Sequence, residues 1–407
     1  MTRKEISRIF FLSLFFSFVL FFSKNIFLNI SPYSALIAVI SSRKMQVSLL
    51  PGLLLPVLGI FTGRKFCWWI CPYGTLHEWS GRLGKKLKFP QTRTLYDMRA
   101  GFVLLLFATG LAFFAVPAGN HMDPLVLANR LFSAFKHGSR PGMLFGAGLS
   151  AGLILTSLFS FRLWCYRFCP LGTLLEGMSF IRRRKGNTFR PDRRSFLLGT
   201  AGGLFLLFSL KKRAGAALLR PPGEDEDFFK LCLRCGDCSR VCPTRVIRPS
   251  LFESGWNGIF VPKMDYDASY CEYNCRQCIV ACPSGALRKL SQDKKRSFPI
   301  GEAKVLRDVC LPWSQDTPCL VCEEMCPVPG KAIKVEMKKR VGEPELGAPV
   351  VNPGLCIGCG LCQNRCPVEG KAIRVYSITA ETRKKRMEQN SAGCPLPGEK
   401  SDPGSGL

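Results

Sequence analysis

Histidine is almost missing from this 407-residue chain, which has three in all. No C-x-x-C-H occurs, so covalent c-type haem is excluded. No glycine-rich fingerprint opens a helix after a strand, which leaves flavin or NAD binding without support. His121 and His137 fall in one loop between apolar segments. A quinone contact or a haem ligand competes there with an ordinary surface position, and an isolated histidine favours the ordinary one. Acidic residues are also scarce: 29 Asp and Glu against 57 Lys and Arg, a net charge of +28. The imbalance is uneven, with 26 basic and 6 acidic residues in 1–210 but 31 and 23 in 211–407. In the first half the cations flank apolar runs, which reads as membrane topology. A nucleic-acid groove is not the reading.

Cysteine, in contrast, is abundant at 21 residues. Sixteen form four runs, each ending in Cys-Pro: Cys232/Cys235/Cys238/Cys242, Cys271/Cys275/Cys278/Cys282, Cys310/Cys319/Cys322/Cys326 and Cys356/Cys359/Cys362/Cys366. The first and last fit C-x2-C-x2-C-x3-C-P, the ligand run of bacterial [4Fe-4S] ferredoxins, in which three thiolates hold one cubane and the fourth ligates its partner. The middle runs differ only at their first cysteine, with three and eight intervening residues; a longer loop is the simplest account, and a [3Fe-4S] centre stays open. Disulfides would not need Cys-Pro four times, and zinc ribbons favour two separated knuckles. Four runs predict four [4Fe-4S] clusters bound by these sixteen cysteines. Sequential pairing of the runs (one with two, three with four) and nested pairing both remain open.

Four stretches are long and apolar enough to be read as membrane spans: 9–27, 47–61, 100–116 and 143–161. The intervening stretches 62–99 and 162–194 carry eight and nine basic residues, while 24–45 and 117–142 carry three each. By the positive-inside rule the N-terminus and the two rich loops face the cytoplasm. Both rich loops open with related sequences, Phe66-Cys67-Trp68-Trp69-Ile70-Cys71-Pro72 and Trp164-Cys165-Tyr166-Arg167-Phe168-Cys169-Pro170. This duplication points to a pseudo-twofold unit. C-x3-C puts two thiols one turn apart on a helix, and two copies supply Cys67, Cys71, Cys165 and Cys169. A fifth iron–sulfur cluster at the cytoplasmic membrane surface, a dithiol redox pair and a packed structural role compete for them.

A fifth apolar segment, 195–210, follows Arg193-Arg194-Ser195-Phe196-Leu197, a twin-arginine pattern in the interior of the chain. An export signal suits a multi-cluster domain assembled in the reducing cytoplasm; a plain fifth helix is the alternative. Export places 211–407 in the periplasm. The expected layout is a helical membrane domain over 1–190 with four to five spans, the signal or fifth span over 191–217, and a ferredoxin-type domain over 218–380. A tail without packing pattern, 381–407, completes it and contains the unassigned Cys394. The ferredoxin domain is expected to be α+β with two dicluster units. Short strands are expected at 286–290, 332–337 and 372–377.

On these motifs the first half resembles the NapH/MauN-type quinol dehydrogenase membrane component, through Cys67/Cys71 and Cys165/Cys169. The second half resembles the NapG/MauM-type ferredoxin, through the twin-arginine start and the four runs. The resemblance implies a multi-pass protein of the bacterial inner membrane with quinol as substrate. Electrons would pass from the quinone pool to a periplasmic reductase or c-type cytochrome. It implies an electron-transfer subunit, with quinol dehydrogenase activity belonging to the complex it would join. A maturation factor for a periplasmic redox enzyme and a thiol redox sensor are the alternatives.

Overall fold

Prolines mark where most of the helices begin. In the computed structural model, which describes residues 3–22, 25–90, 99–137, 141–180, 218–223, 227–251, 253, 255, 258–338 and 346–391, the first half is helical. Its main elements are α1 (Arg3–Phe21), α2 (Pro32–Ser42), α3 (Leu50–Thr62), α4 (Pro72–Lys86), α5 (Arg99–Phe113), α6 (Pro124–His137), α7 (Pro141–Phe159) and α8 (Pro170–Phe180). Proline opens α2, α4, α6, α7 and α8 and is the second residue of α3. Its fixed φ suits the first helical turn, where its missing N–H has no partner to lose. The order of α1–α4 is repeated by α5–α8. In each repeat two helices are followed by an apolar helix, a Cys-x3-Cys-Pro turn and a last helix.

The structure bears on three expectations about this half. Among the described residues one helix, Gly142–Phe159, is long and apolar enough to cross a bilayer; Pro32–Ser42, Val47–Phe61 and Ala100–Phe113 are apolar but shorter. The span expected at 9–27 ends at Phe21, because the chain turns at Asn25, whose side chain accepts the Phe27 N–H at 3.1 Å and donates to Asn129 at 3.0 Å. The stretches 24–45 and 117–142, expected as loops, hold α2 and α6 folded back into the bundle. Their starts meet at Asp123, which receives hydrogen bonds from the Ser31 and Ser34 hydroxyls and from the Leu125 N–H at 2.8 Å. One buried carboxylate thereby satisfies polar groups at two helix N-termini.

The second half has short helices and three two-stranded antiparallel sheets: β1 (Ile247–Pro249) with β2 (Pro262–Met264), β3 (Glu302–Val305) with β6 (Ile373–Tyr376), and β4 (Ile333–Lys338) with β5 (Leu346–Val351). The strands expected near 332–337 and 372–377 are present. The one expected at 286–290 is reduced to a single bridge, Leu287 with Gly223. The segment from Glu381, expected to lack packing, begins as helix Ala380–Ser391. Its Arg383 donates to the Pro299 and Ile300 carbonyls at 2.9 and 3.3 Å, and Arg386 pairs with Glu302. Arginines spaced along one helix face hold it to the start of β3, a contact invisible to hydrophobic periodicity. The fifth apolar segment, the Arg193-Arg194 pair and Cys394 lie outside the described residues.

The halves are joined by buried polar contacts at the end of the bundle bearing Asn25, Pro117 and Asn129. Asn129 Nδ2 donates to the Cys235 carbonyl at 2.9 Å and to Asp237 at 3.1 Å. Arg130 donates through Nε and Nη2 to the Arg234 carbonyl, at 3.1 and 2.8 Å, and Arg234 donates back to the Pro117 carbonyl at 2.7 Å. Arg240 is wholly buried; it pairs with Asp237 at 3.0 Å and caps the last turn of α1 through the Val19 and Phe22 carbonyls at 2.5 and 2.8 Å. The opposite end of the bundle gathers Arg8, Arg82 and Arg162 around Glu78.

Candidate iron–sulfur sites

The C-x2-C-x2-C turn folds through left-handed residues on either side of its second cysteine. In the fourth run these are Gly358 (φ 68°) and Gly360 (φ 77°), and the neighbours leave no room for a side chain. A Cβ on Gly358 would stand 2.4 Å from the Gly301 nitrogen, and one on Gly360 would stand 2.1 Å from the Tyr266 ring. Alternating right- and left-handed residues turn successive N–H groups inward and form a nest for an anion. The proline after the last cysteine disfavours helical backbone at that cysteine. Cys282 and Cys366 accordingly sit extended, at ψ 114° and 125°.

The fourth cysteine of each run leaves its own group and joins its neighbour's. Cys282 lies with Cys232, Cys235 and Cys238 around one cavity (site 1), and Cys242 lies with Cys271, Cys275 and Cys278 around a second (site 2). Cys326 lies with Cys356, Cys359 and Cys362 around a third (site 3). Cys310 has Cys319 and Cys366 as its thiol neighbours, and Cys322 has Cys319 and Cys310 (site 4). The runs therefore exchange cysteines in sequence, one with two and three with four. Site 2 adjoins site 3 through the backbone, where the Cys271 N–H donates to the Cys359 carbonyl at 2.8 Å. Site 1 abuts the helical half through Cys235. The order in space is 1, 2, 3, 4.

Burial pushes these thiols up, Cys232 and Cys271 to about 11 and Cys322 and Cys359 to about 12, with neighbouring thiols adding to the shift. Such groups are neutral when free, and a bound metal centre takes them as thiolates. Backbone N–H groups already point at two sulfurs, from Ala332 to Cys326 at 3.3 Å and from Ala303 to Cys356 at 3.5 Å. Hydrogen bonds to sulfur are one of the protein's means of setting a cluster's potential. Among the described residues no three His, Cys, Asp or Glu side chains close on a single metal ion. Zinc thiolates about 3.8 Å apart, as follows from a Zn–S bond of about 2.3 Å, are not the arrangement here. The donor set of four sulfurs around an open cavity at sites 1, 2 and 3 fits a cubane instead.

The Cys-x3-Cys-Pro turns converge in the same way. Cys67, Cys71, Cys165 and Cys169 line one cavity with Arg64, Arg162 and Pro124. Sites 1, 2 and 3 likewise each have four cysteines lining one cavity. The two cysteines of a pair do not share a continuous helix as expected. Cys71 and Cys169 are extended N-cap residues of α4 and α8, with ψ 116° and 111°, and their sulfurs accept the Gly74 and Gly172 N–H groups, each at 3.4 Å. Cys71 and Cys169 are buried in the same apolar core as Cys235 of site 1, while Cys67 and Cys165 are half-buried. Arg64 and Arg162, each three residues before the first cysteine of its copy, supply matched positive charge. Neither was singled out in the sequence; the duplication itself could have shown them. Neither was His77, fully buried on α4, whose Nδ1 lies 2.6 Å from the Ser157 hydroxyl. His121 is not an open surface residue, since its Nδ1 lies 3.1 Å from Arg130 and its ring 5.5 Å from Phe260. The side chain of His137 lies outside the described residues.

Comparison with known proteins assigns iron–sulfur models to both halves. A 4Fe-4S binding domain model matches residues 45–90 and again 142–188, a 4Fe-4S dicluster domain model matches 231–286, and another 4Fe-4S binding domain model matches 349–370. The methylamine utilization ferredoxin-type protein MauM of Methylorubrum extorquens is 34% identical over 154 residues, 36% of this chain and 67% of the relative. The ferredoxin-type protein NapG of Escherichia coli K12 is 34% identical over 184 residues, 41% of this chain and 78% of the relative. YccM of the same organism is 23% identical over 258 residues, 60% of this chain and 57% of the relative. No solved structure matches.

Proposed function

The chain belongs to the family of ferredoxin-type iron–sulfur proteins that includes NapG and MauM, and from that premise we propose that it is a membrane-bound electron wire with five centres. Electrons would enter from a quinol at the Cys67/Cys71/Cys165/Cys169 site and leave from site 4 to a periplasmic acceptor. The observation that carries the reading is the single file of cysteine groups. It runs from the bundle site through a shared apolar core to site 1, and then through sites 2 and 3 to site 4.

Each group would hold one [4Fe-4S] cluster, which supplies reversible one-electron transfer. The chain's own residues do the rest. Arg64 and Arg162 place two positive charges beside four thiolates and so offset the charge of an anionic centre away from water. Asn129, Arg130 and Arg240 fix site 1 against the bundle, which holds the distance across the joint constant. Ala303 and Ala332 direct N–H groups at sulfur.

Membrane insertion is supported by the apolar side chains exposed on the helices, among them Phe10, Leu54, Phe61, Phe113 and Leu155, each more than half exposed. A contiguous apolar exterior of this kind suits lipid. The Arg8, Arg82 and Arg162 end is then cytoplasmic and the ferredoxin half periplasmic. That side agrees with export through the Arg193-Arg194 signal, and the twofold repeat agrees with a NapH-type membrane component fused to a NapG-type ferredoxin.

The test is anaerobic iron and sulfide content of the detergent-purified chain, with EPR during stepwise reduction. About twenty irons per chain are expected, four for each of five centres; about sixteen would remove the bundle site from the wire. In Cys67→Ser with Cys165→Ser, a reduced quinone analogue should no longer reduce sites 1–4, while dithionite still does. Unchanged reduction by the quinol analogue would overturn entry at the bundle site.

A further inference from the structure

We infer that the surface around site 4 is the docking face for a soluble redox protein that carries a basic rim around its own redox centre. The inference rests on the wire proposed above, in which site 4 is the far end. Site 1 is covered by the helical half, and sites 2 and 3 lie between the ends.

The third run departs from the ferredoxin spacing, with eight residues between Cys310 and Cys319 where the first and fourth runs have two, and those residues lie beside site 4. A short helix, Leu311–Ser314, is followed by exposed residues up to Pro318. Trp313 fastens it, donating from Nε1 to the Pro349 carbonyl at 3.2 Å, while the Arg307 guanidinium lies 4.2 Å over its ring. A loop tied down in advance loses less freedom on binding.

The same segment is acidic, although Arg307 and Lys331 flank it. Residues 308–330 contain Asp308, Asp316, Glu323 and Glu324 and no Lys or Arg, in a chain with 57 basic residues. Asp308, Asp316 and Glu324 are exposed. Glu323 is turned inward to accept the Val335 N–H at 3.0 Å. Arg365 and Glu369, exposed on the adjoining fourth run, offset each other. Among the carboxylates stand three exposed apolar side chains, Val309 (43%), Leu320 (51%) and Met325 (38%). Single exposed apolar residues are ordinary. Val309 and Leu320 adjoin Cys310 and Cys319 of site 4, and Met325 follows Cys322 by three residues; interspersed with carboxylates, the three have the anatomy of an interface, an apolar centre with a polar rim. Carboxylates there would steer a cationic partner.

The experiment uses the full, cluster-loaded chain in detergent, reduced with dithionite and freed of excess, and mixed in a stopped-flow instrument with an oxidised, lysine-rich c-type cytochrome as probe. At low ionic strength Asp308→Lys with Asp316→Lys and Glu324→Lys should lower the second-order rate constant at least tenfold, within the range expected of electrostatic steering. The gap should close at high salt, where the Debye length falls to about 3 Å at 1 M. Asp293→Lys, a reversal at an exposed carboxylate beside site 2, should leave the rate near wild type. A triple variant at the wild-type rate, or Asp293→Lys as slow as Asp316→Lys alone, overturns the docking face. A change of mass by light scattering in the triple variant assigns the face to a second copy and also overturns it. EPR of the triple variant must retain the site 4 signal for the comparison to count in favour. A loaded wild-type chain that cannot reduce the cytochrome at all overturns the wire itself.

Discussion

Replacing Arg240 with methionine should loosen the joint between the two halves. The guanidinium is fully buried and has three acceptors: Asp237 at 3.0 Å, the Val19 carbonyl at 2.5 Å and the Phe22 carbonyl at 2.8 Å. Methionine keeps most of the volume and removes every donor. Asp237, also wholly buried, keeps Asn129 and the Asn25 backbone N–H but no cation, a loss of about 3–5 kcal/mol for a pair broken from one side. Adding Asp237→Asn removes the stranded charge and retains an acceptor for Asn129. The double variant then lacks only the donors to the α1 carbonyls, a loss of about 1–3 kcal/mol. It should therefore recover about 2 kcal/mol, roughly thirtyfold in an opening equilibrium. Hydrogen exchange of peptides covering 15–22 and 232–242 in detergent measures that opening directly. Arg240→Met should speed exchange in both peptides and the double variant should restore part of the protection. Equal protection in wild type and Arg240→Met would refute the argument, as would a double variant worse than the single one.

The exchange of fourth ligands predicts that Cys326→Ser and Cys359→Ser erase the same EPR signal, and that Cys322→Ser and Cys366→Ser erase another; signals grouped by run would show that no exchange occurs. Gly360→Ala should abolish or shift the site 3 signal and destabilise the ferredoxin half by about 1–3 kcal/mol, since a Cβ meets Tyr266 at 2.1 Å in a left-handed backbone; wild-type iron content and melting would contradict it. Asp227 bonds Lys44 across the joint and Lys230 beside it, and these ammonium groups hold its carboxyl below the ordinary value. A depressed folded pKa stabilises fully above the unfolded value near 3.9 and is lost as pH falls through the folded one. With Lys44 61% exposed, Lys44→Ala should cost under about 1 kcal/mol at pH 7 and nothing once Asp227 is protonated. A loss that persists in acid would exclude the ion pair as its cause.

Spacing alone carried much of the chemistry. Four Cys-Pro runs and two Cys-x3-Cys-Pro copies announce six groups of thiols, because a cubane dictates how far apart its ligands stand along a local turn, and a local turn is written in consecutive residues. Proline placed the starts of α2, α4, α6, α7 and α8 by the same logic, through its own φ and its missing N–H. The partner of each fourth cysteine is a different kind of fact. Cys282 and Cys242 cross between sites because α9 (Asp237–Arg240) packs against α10 (Gln277–Ala281), and nothing within either run specifies that contact. Hydropathy was weakest where the chain turns back on itself. α2 is apolar but too short to be read as a span, and α6 mixes apolar with polar residues, so neither was placed in the bundle until Ser31, Ser34, Asp123 and Asn129 found their partners there. Arg64 and Arg162 look like topological signals in the sequence and Arg240 like one more residue of the first cysteine run; all three become buried counter-charges and caps only when helices distant in the chain meet. What a residue type can do at a fixed local spacing was determined by the sequence. Which groups face each other across the fold was decided by packing, since burial gives a lone charge or thiol its partner only after the chain has closed around it.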